Sequence, residues 1–321
     1  MRLTIILTVY NKEPFLRRAL DALLNQVGTN DGDYEVLAVN DGSTDGSEAI
    51  LEDYARRDSR VRILTQQNQG LSMARNNGAD AAYGEYVWFV DADDTYSLKA
   101  VSLICNAIDS KPDVIPIYAR TDGIEMVRNA IPTNVSTGKD VILCGRWQQC
   151  GVFWVFCKMF LLENNLRFMP GVYHEDAEFT PRMLYAAKTV KVVPKVLYTV
   201  YRDPNSIMQV PRPKRAFDCL IVSESLSRFV MDNHEEKTAI GKAIDDYTAQ
   251  DINGAFDVIC HNSKEEQKKL NKSFLEKRKT LLRPLRNASK LKYRVEAAVF
   301  TLLPGCYVEI YRLMKRFSKN E

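Results

Sequence analysis

The chain has 321 residues, enough for one large domain or two modest ones. Hydrophobic residues make up 45% and charged residues 26%, the ordinary globular range, which excludes a disordered chain. The net charge of +3 hides an asymmetry: residues 264–321 carry 16 Lys/Arg against 6 Asp/Glu and the remainder 28 against 35, so the tail is the part suited to an anionic surface.

The apolar run "LTIILTV" (3–9) reads as a first strand. It is too short for a secretory leader, and no small-residue cleavage site follows. Helical spacing follows over 12–26, then a strand at 34–41, a helix at 45–58, a strand at 61–66 and a helix at 71–84 ended by Gly84. "YVWFVDADD" (86–94) is the fourth strand. Apolar strands alternating with helices predict a parallel sheet covered on both faces. Residues 98–145 read as a helix, a strand ("DVIPIYA", 113–119) and a polar excursion. Residues 146–200 hold an aromatic block, then "YHEDAEFTPRMLYAA" (173–187) and "VKVVPKVLYTVYR" (190–202). From about 212 the pattern is helical, with a break near Pro304–Gly305, and no stretch reaches the ~18 apolar residues of a membrane span.

The seven cysteines are scattered, odd in number and without a C-x-x-C pair, which argues against a disulfide framework or zinc ribbon and for reduced thiols. Three histidines argue against a histidine-rich metal site. The polar clusters fall instead at strand ends, where open α/β sheets bind ligands. They are Thr8, Tyr10 and Asn11; Asn40 and Asp41; and Asp91, Asp93 and Asp94. Three crowded carboxylates repel and lose hydration, and a bound cation is one compensation. An EF-hand is excluded, because Tyr96 and Ser102 stand where that loop needs Gly and Glu. Two other readings stay open. "VDADDT" also fits the aspartyl-phosphate motif of haloacid-dehalogenase-type phosphatases, with Asp91 as nucleophile, and Asp94 or Thr95 could simply cap a helix. "NDGSTDGS" (40–47) is either a turn with a cap or a turn that offers Asp41 to a nucleobase or ribose. Arg75 is either a surface partner of Asp80 or Glu85, or a phosphate or base contact.

Taken together, "VYNKE", "VNDGSTDGS", "NQGLSMARNNGADAAYGEYVWFVDADD" and "YHEDAEF", in this order and spacing, resemble the family 2 glycosyltransferases, especially bacterial members that build surface polysaccharides. The match covers roughly residues 1–210. The resemblance implies a GT-A (Rossmann-like) α/β fold, with a mostly parallel central sheet flanked by helices and a helical C-terminal extension. The implied parts are a nucleotide-sugar half over 1–100, an acceptor half over 101–211 and a helical region with a basic tail over 212–321. It also implies an inverting, metal-dependent transfer from a nucleotide diphosphate-sugar, a UDP-sugar by family habit, to a hydroxyl of a glycan or lipid-linked glycan. A non-catalytic nucleotide-binding protein is the remaining alternative.

Position by position, the resemblance puts Thr8, Tyr10 and Asp41 at the nucleobase, with Glu13 close by, and Arg75 at base or phosphate. Asp91 and Asp93 form the D-x-D motif and hold the ribose and a divalent metal; Asn40 stands where many relatives have a first Asp. Asp93 and Asp94 both remain candidate metal ligands, and Mn²⁺ or Mg²⁺ suits their oxygens. Asp176 is the implied base; Glu175 abuts it, and both also suit the start of a capped helix. On the acceptor side, Trp154 could stack on a sugar and Lys158 could touch phosphate, or both could be packing residues. "YRDPNSI" (201–207) offers Tyr201, Arg202 and Ser206 to the diphosphate. The basic segment "KRKTLLRPLRNASKLKYR" (277–294) is either a surface helix on an anionic cytoplasmic leaflet or a solvated helix packed on the body. The expected location is therefore cytoplasmic, and the first of these two readings adds peripheral contact at the inner face of the membrane. No base-reading module accompanies the charge, so no nucleic-acid partner is expected.

Overall fold

The computed structural model describes residues 1–30, 32–201 and 212–317. The chain divides into two compact units: Met1–Gly171 with Arg182–Asp203, and Val172–Pro181 with Pro204–Glu321. The first unit runs β1 (Leu3–Val9), α1 (Glu13–Leu24), β2 (Tyr34–Asn40), α2 (Ser47–Arg57), β3 (Val61–Thr65), α3 (Leu71–Ala81), β4 (Tyr86–Asp91), β5 (Thr95–Tyr96), α4 (Ala100–Ile108), β6 (Val114–Thr121), α5 (Gly138–Cys144), β7 (Trp154–Cys157) and α6 (Lys158–Glu163). Helix α7 (Glu175–Ala186) is divided between the units, and β8 (Val193–Val200) completes the first. Among the described residues the sheet order is β3-β2-β1-β4-β7-β6-β8-β5.

Strands β3, β2, β1 and β4 are parallel. Strand β7 then runs antiparallel to both β4 and β6, so the sheet is mixed. Every residue of β1 and β2 is buried, which is why both read as near-continuous apolar runs. The polar residue near the start of β1 is fully satisfied. Thr4 donates to Glu35 (2.7 Å) and accepts from the Gly84 N–H (2.8 Å), and Arg62 pairs with the same Glu35 (2.6 Å).

Two glycines set how tightly this unit closes. A Cβ on Gly78 of α3 would lie 2.5 Å from Ile6 Cγ2, so α3 packs directly on β1. Gly84 does not end α3, which stops at Ala81 with Ala82 extended. A Cβ at Gly84 would lie 2.4 Å from the Thr4 nitrogen, so the glycine serves a close backbone approach to β1. Within the polar excursion, Thr137 and Asp140 form a capping box that starts α5, a helix absent from the sequence reading.

The second unit is helical: the start of α7, then α8 (Pro213–Asp232), α9 (Ala239–Ile259), α10 (Lys264–Glu276), α11 (Arg278–Asn287), α12 (Leu291–Leu302) and α13 (Tyr307–Phe317). Its core centres on Phe256, Phe274, Phe300 and Tyr307, with ring centroids 4.5–5.8 Å apart. Asp245 is wholly buried and receives both guanidinium nitrogens of Arg283 (2.9 and 2.6 Å) and the Asn287 amide (2.7 Å). The leucines of the basic segment, Leu281, Leu282 and Leu285, lie in this core, so α11 is a packed helix. Gly305, with φ +92°, lies in the break between α12 and α13.

Candidate active site

Strands β1, β2 and β4 lie side by side and parallel, so their carboxyl ends reach one edge of the first unit together. Thr8 pairs with Asp91 in register, and its hydroxyl lies 3.4 Å from Asp91 Oδ1. Arg75, 2% exposed and held by α3, brings Nη2 to 3.4 Å from the same oxygen, and its guanidinium lies 5.2 Å from the Phe168 ring centroid. It is therefore not the surface partner of Asp80, which pairs with Arg167 instead (2.6 Å).

Each of the three crowded aspartates has its own compensation. Asp91 has Thr8 and Arg75. Asp93 meets Lys12 Nζ at 2.5 Å, while the Arg18 guanidinium donates to its backbone carbonyl. Asp94 turns inward: Tyr198 Oη donates to Oδ2 (2.6 Å) and the Tyr201 N–H to Oδ1 (2.8 Å). Burial, then the neighbouring Asp91 charge, pushes the Asp94 carboxyl up to about 7. Tyr198 Oη also accepts the Asp91 N–H (3.1 Å), and Tyr96 Oη donates to the Asp91 carbonyl (2.7 Å). The turn is thus bolted to β8 through Asp94, and Asp91 and Asp93 keep the more open carboxylates, with side chains 35% and 24% exposed.

The loops after β1 and β2 are stitched together. Asn40 accepts the Ser43 N–H (3.0 Å), an Asx turn. The Thr44 N–H donates to Asn11 (2.8 Å), and the Lys12 N–H to Ser47 (2.9 Å). Glu13 accepts the Gly46 N–H (2.8 Å), while the Glu13 N–H donates to Asp45 (3.1 Å), so each loop caps the other's helix. Asp41 is buried and accepts from Gln66 (2.8 Å) and from the N–H groups of Gln69 (2.8 Å) and Gly70 (2.9 Å), which shapes the entry to α3. Tyr10 is exposed at the end of β1.

Two expected acceptor-side residues are not brought to this edge. Trp154 is fully buried within β7, where no sugar ring can reach it. Lys158 donates to the carbonyls of Ala82 (2.6 Å) and Asp80 (3.2 Å) and so closes the end of α3. Its neighbour Cys157 pairs with Tyr86, five residues from Asp91 along β4, which is about 17 Å at strand rise. Both are packing residues. Glu175 and Asp176 open α7 in the helical unit, Glu175 buried and Asp176 half-buried. Arg202 and Ser206 lie outside the described residues.

Lys12, Arg18 and Tyr198 join this set although the sequence did not single them out. Lys12 sits inside a quoted motif and was legible as a charge beside it. Tyr198 is 104 residues from Asp94 and carries no local signal.

A divalent cation fits one part of this set. Among the described residues no group of three or more His, Cys, Asp or Glu side chains could hold an ion alone. Asp93 brings a partly exposed carboxylate already paired with a cationic group. One carboxylate plus substrate phosphates is the pattern of Mg²⁺-class ions. The carboxylate of Asp94 is engaged by Tyr198 and Tyr201 on both oxygens.

The family model described as glycosyl transferase family 2 matches residues 4–164, which include all three strand ends. EpsH of Bacillus subtilis (strain 168), named as a glycosyltransferase, is 44% identical over 243 residues, 72% of this chain and 70% of that protein. YibD, an uncharacterized glycosyltransferase of Escherichia coli (strain K12), is 32% identical over 226 residues, which span 66% of this chain and 64% of that protein. Among solved structures, S. aureus TarS 1-349 in complex with UDP-GlcNAc superposes with a TM-score of 0.79 at 18% identity, covering 100% of this chain and 92% of that one. That likeness is one of fold. The family match replaces the phosphatase alternative for "VDADDT": this chain belongs to glycosyl transferase family 2.

Proposed function

We propose that the chain transfers a sugar from a nucleoside-diphosphate sugar to a hydroxyl of a glycan or lipid-linked glycan, with inversion at the anomeric carbon. The observation that carries this reading is the meeting of Thr8, Arg75 and Asp91 at the ends of β1 and β4, with Asp93 two residues on. UDP is the donor nucleotide in this reading, which is supported by a fold shared with a protein solved with UDP-GlcNAc. Its setting in this reading is cytoplasmic.

Thr8, Tyr10 and Asp41 line the nucleobase side, with Glu13 setting the loop beside them. Asp41 has acceptor capacity left on Oδ2 for a base N–H, because a carboxylate offers about four lone-pair sites. Arg75 places a buried positive charge beside Asp91 and orients it toward the ribose or phosphate. Asp93 is the metal ligand of this reading, with Mg²⁺ or Mn²⁺ as the ion, and Asp94 holds the turn in shape. When bound, the ion neutralises the charge that collects on the departing diphosphate. Asp176 takes the proton of the attacking hydroxyl, a role that rests on its place in "GVYHEDAEF", while Glu175 fixes the helix start.

The test is thermal stabilisation by a panel of nucleoside diphosphates, with and without Mn²⁺, on wild type and Asp93→Ala. At about 100 times its dissociation constant a ligand stabilises by ~2.7 kcal/mol. A metal-dependent shift with one base, lost in the variant, supports the reading; no shift with any nucleotide sinks it. Asp176→Asn should lower transfer by about 10²–10⁴ and leave the nucleotide shift intact. Full activity in that variant removes Asp176 from the base role.

A further inference from the structure

The leucines of α11 face inward, but the next helix carries an apolar strip that faces out. In α12, Leu291, Val295 and Leu302 are 66%, 43% and 77% exposed, and Ala298 is exposed between them. These positions recur at i, i+4, i+7 and i+11, which puts them on one line along the helix. Leu303, the first residue past the helix, is also 55% exposed. Tyr293, Glu296, Ala297 and Phe300 form the opposite, buried face. The strip is therefore the solvent side of a well-anchored helix, about 17 Å long at helical rise.

Its borders are basic. At 100° per residue, Lys292 falls on one flank and Arg294 on the other, and Lys290 precedes the helix. All three are exposed, and Lys292 lies over the Tyr293 ring at 4.6 Å. Arg286 of α11 reaches Thr301 on α12 (3.0 Å) and adds a fourth charge near Leu302. From Lys277 to Val308 the sequence holds eight Lys/Arg and one acid, Glu296. That acid is buried and accepts from Asn253 (3.1 Å). Lys292 interacts electrostatically with it, and it is the one acid of the segment.

We infer that α12 is a docking face for a bilayer surface rich in anionic phospholipid, lying parallel to it with the leucine strip among the acyl chains. The charge complementarity selects this occupant: exposed Lys and Arg on both sides of an aliphatic strip match phosphate headgroups arranged in a plane. A protein partner fits less well. Its interface would centre on aromatic anchors and bury about 800 Å² a side, whereas this strip is Leu, Val and Ala on a single helix. The docking goes beyond the transfer reaction and does not depend on it.

The experiment is co-sedimentation of the full chain with vesicles of phosphatidylcholine alone and of phosphatidylcholine with phosphatidylglycerol at about 7:3 by mole. Wild type should bind the anionic vesicles and be released by salt. Val295→Glu/Leu302→Glu should abolish binding. Lys290→Gln/Lys292→Gln/Arg294→Gln should weaken it roughly a hundredfold, at about fivefold per charge, and erase the preference for anionic lipid. The altered side chains are all exposed, and circular dichroism confirms the fold of each variant. Wild type that ignores anionic vesicles, or variants that bind like wild type, would overturn the inference. So would a lipid-free dimer that Leu302→Glu converts to monomer, because a second copy would then cover the strip. The nucleotide-induced shift, measured on the same variants, should be unchanged, which separates a failure here from a failure of the donor reading.

Discussion

Two ion pairs, one in each unit, put similar groups to different ends. In the α/β unit, Arg75 is buried but meets Asp91 at 3.4 Å, and the carboxylate stays 35% exposed. In the helical unit, Arg283 grips Asp245 through both nitrogens, at 2.9 and 2.6 Å, and the carboxylate is fully buried. A long contact with one open partner can be exchanged for a ligand at small cost. A short bidentate contact sealed from water cannot, since breaking it strands a buried charge. Where the two units keep their charges thus separates a candidate binding edge from a structural fastening.

The widest break in that contrast should come from Asp93→Ala. Transfer should fall by about a thousandfold or more, the several kcal/mol that a lost cation represents. The ligand-free urea midpoint should hardly move, because a partly exposed surface pair contributes about 0–1 kcal/mol. Asp245→Ala should do the reverse. It leaves Arg283 buried without its partner and should lower unfolding free energy by about 3–5 kcal/mol in urea titrations. Donor-dependent stabilisation should survive in it.

A third experiment uses pH. Burial raises the Glu296 carboxyl from 4.5 to about 7, so the folded chain keeps a proton that the unfolded chain releases. The contribution of this group is then full below about 4.5 and is lost as pH rises through 7. Stability should decline by the order of 3 kcal/mol across that window from this group, and Glu296→Gln should flatten the decline. An unchanged slope in the variant would show that Glu296 is not its source. The smallest effect concerns Lys12, which pairs with Asp93. Lys12→Met should tighten Mn²⁺ binding in the presence of a nucleoside diphosphate by up to about fivefold, read by electron paramagnetic resonance. Weaker or unchanged binding would show that Lys12 and the ion do not compete.

The edge was readable from sequence because its signals are local. Each of β1, β2 and β4 is an apolar run that ends in a polar group, and a parallel sheet carries those ends to one side. What escaped reading depends on contacts between distant segments. Trp154 and Lys158 have residue types suited to sugar and phosphate, and only the antiparallel insertion of β7 between β4 and β6 shows that one is core and the other a helix closure. Asp93 and Asp94 look alike until Tyr198 claims the second. Leu281 and Leu285 are no more apolar than Leu291 and Leu302. The packing around Phe256 and Phe274 decides which pair is buried.

The clasp between Glu13 and the Asp45–Gly46 turn bears on how variants with new donor preferences could be made. Each half satisfies a backbone donor in the other's loop, at 2.8 and 3.1 Å, so the two loops act as one mutational unit. A chimera with a crossover between residues 13 and 45 would inherit half a clasp from each parent and leave a helix start uncapped on both sides. Crossovers before Asn11 or after Ser47 would move the clasp whole, and libraries that vary either loop should vary them together.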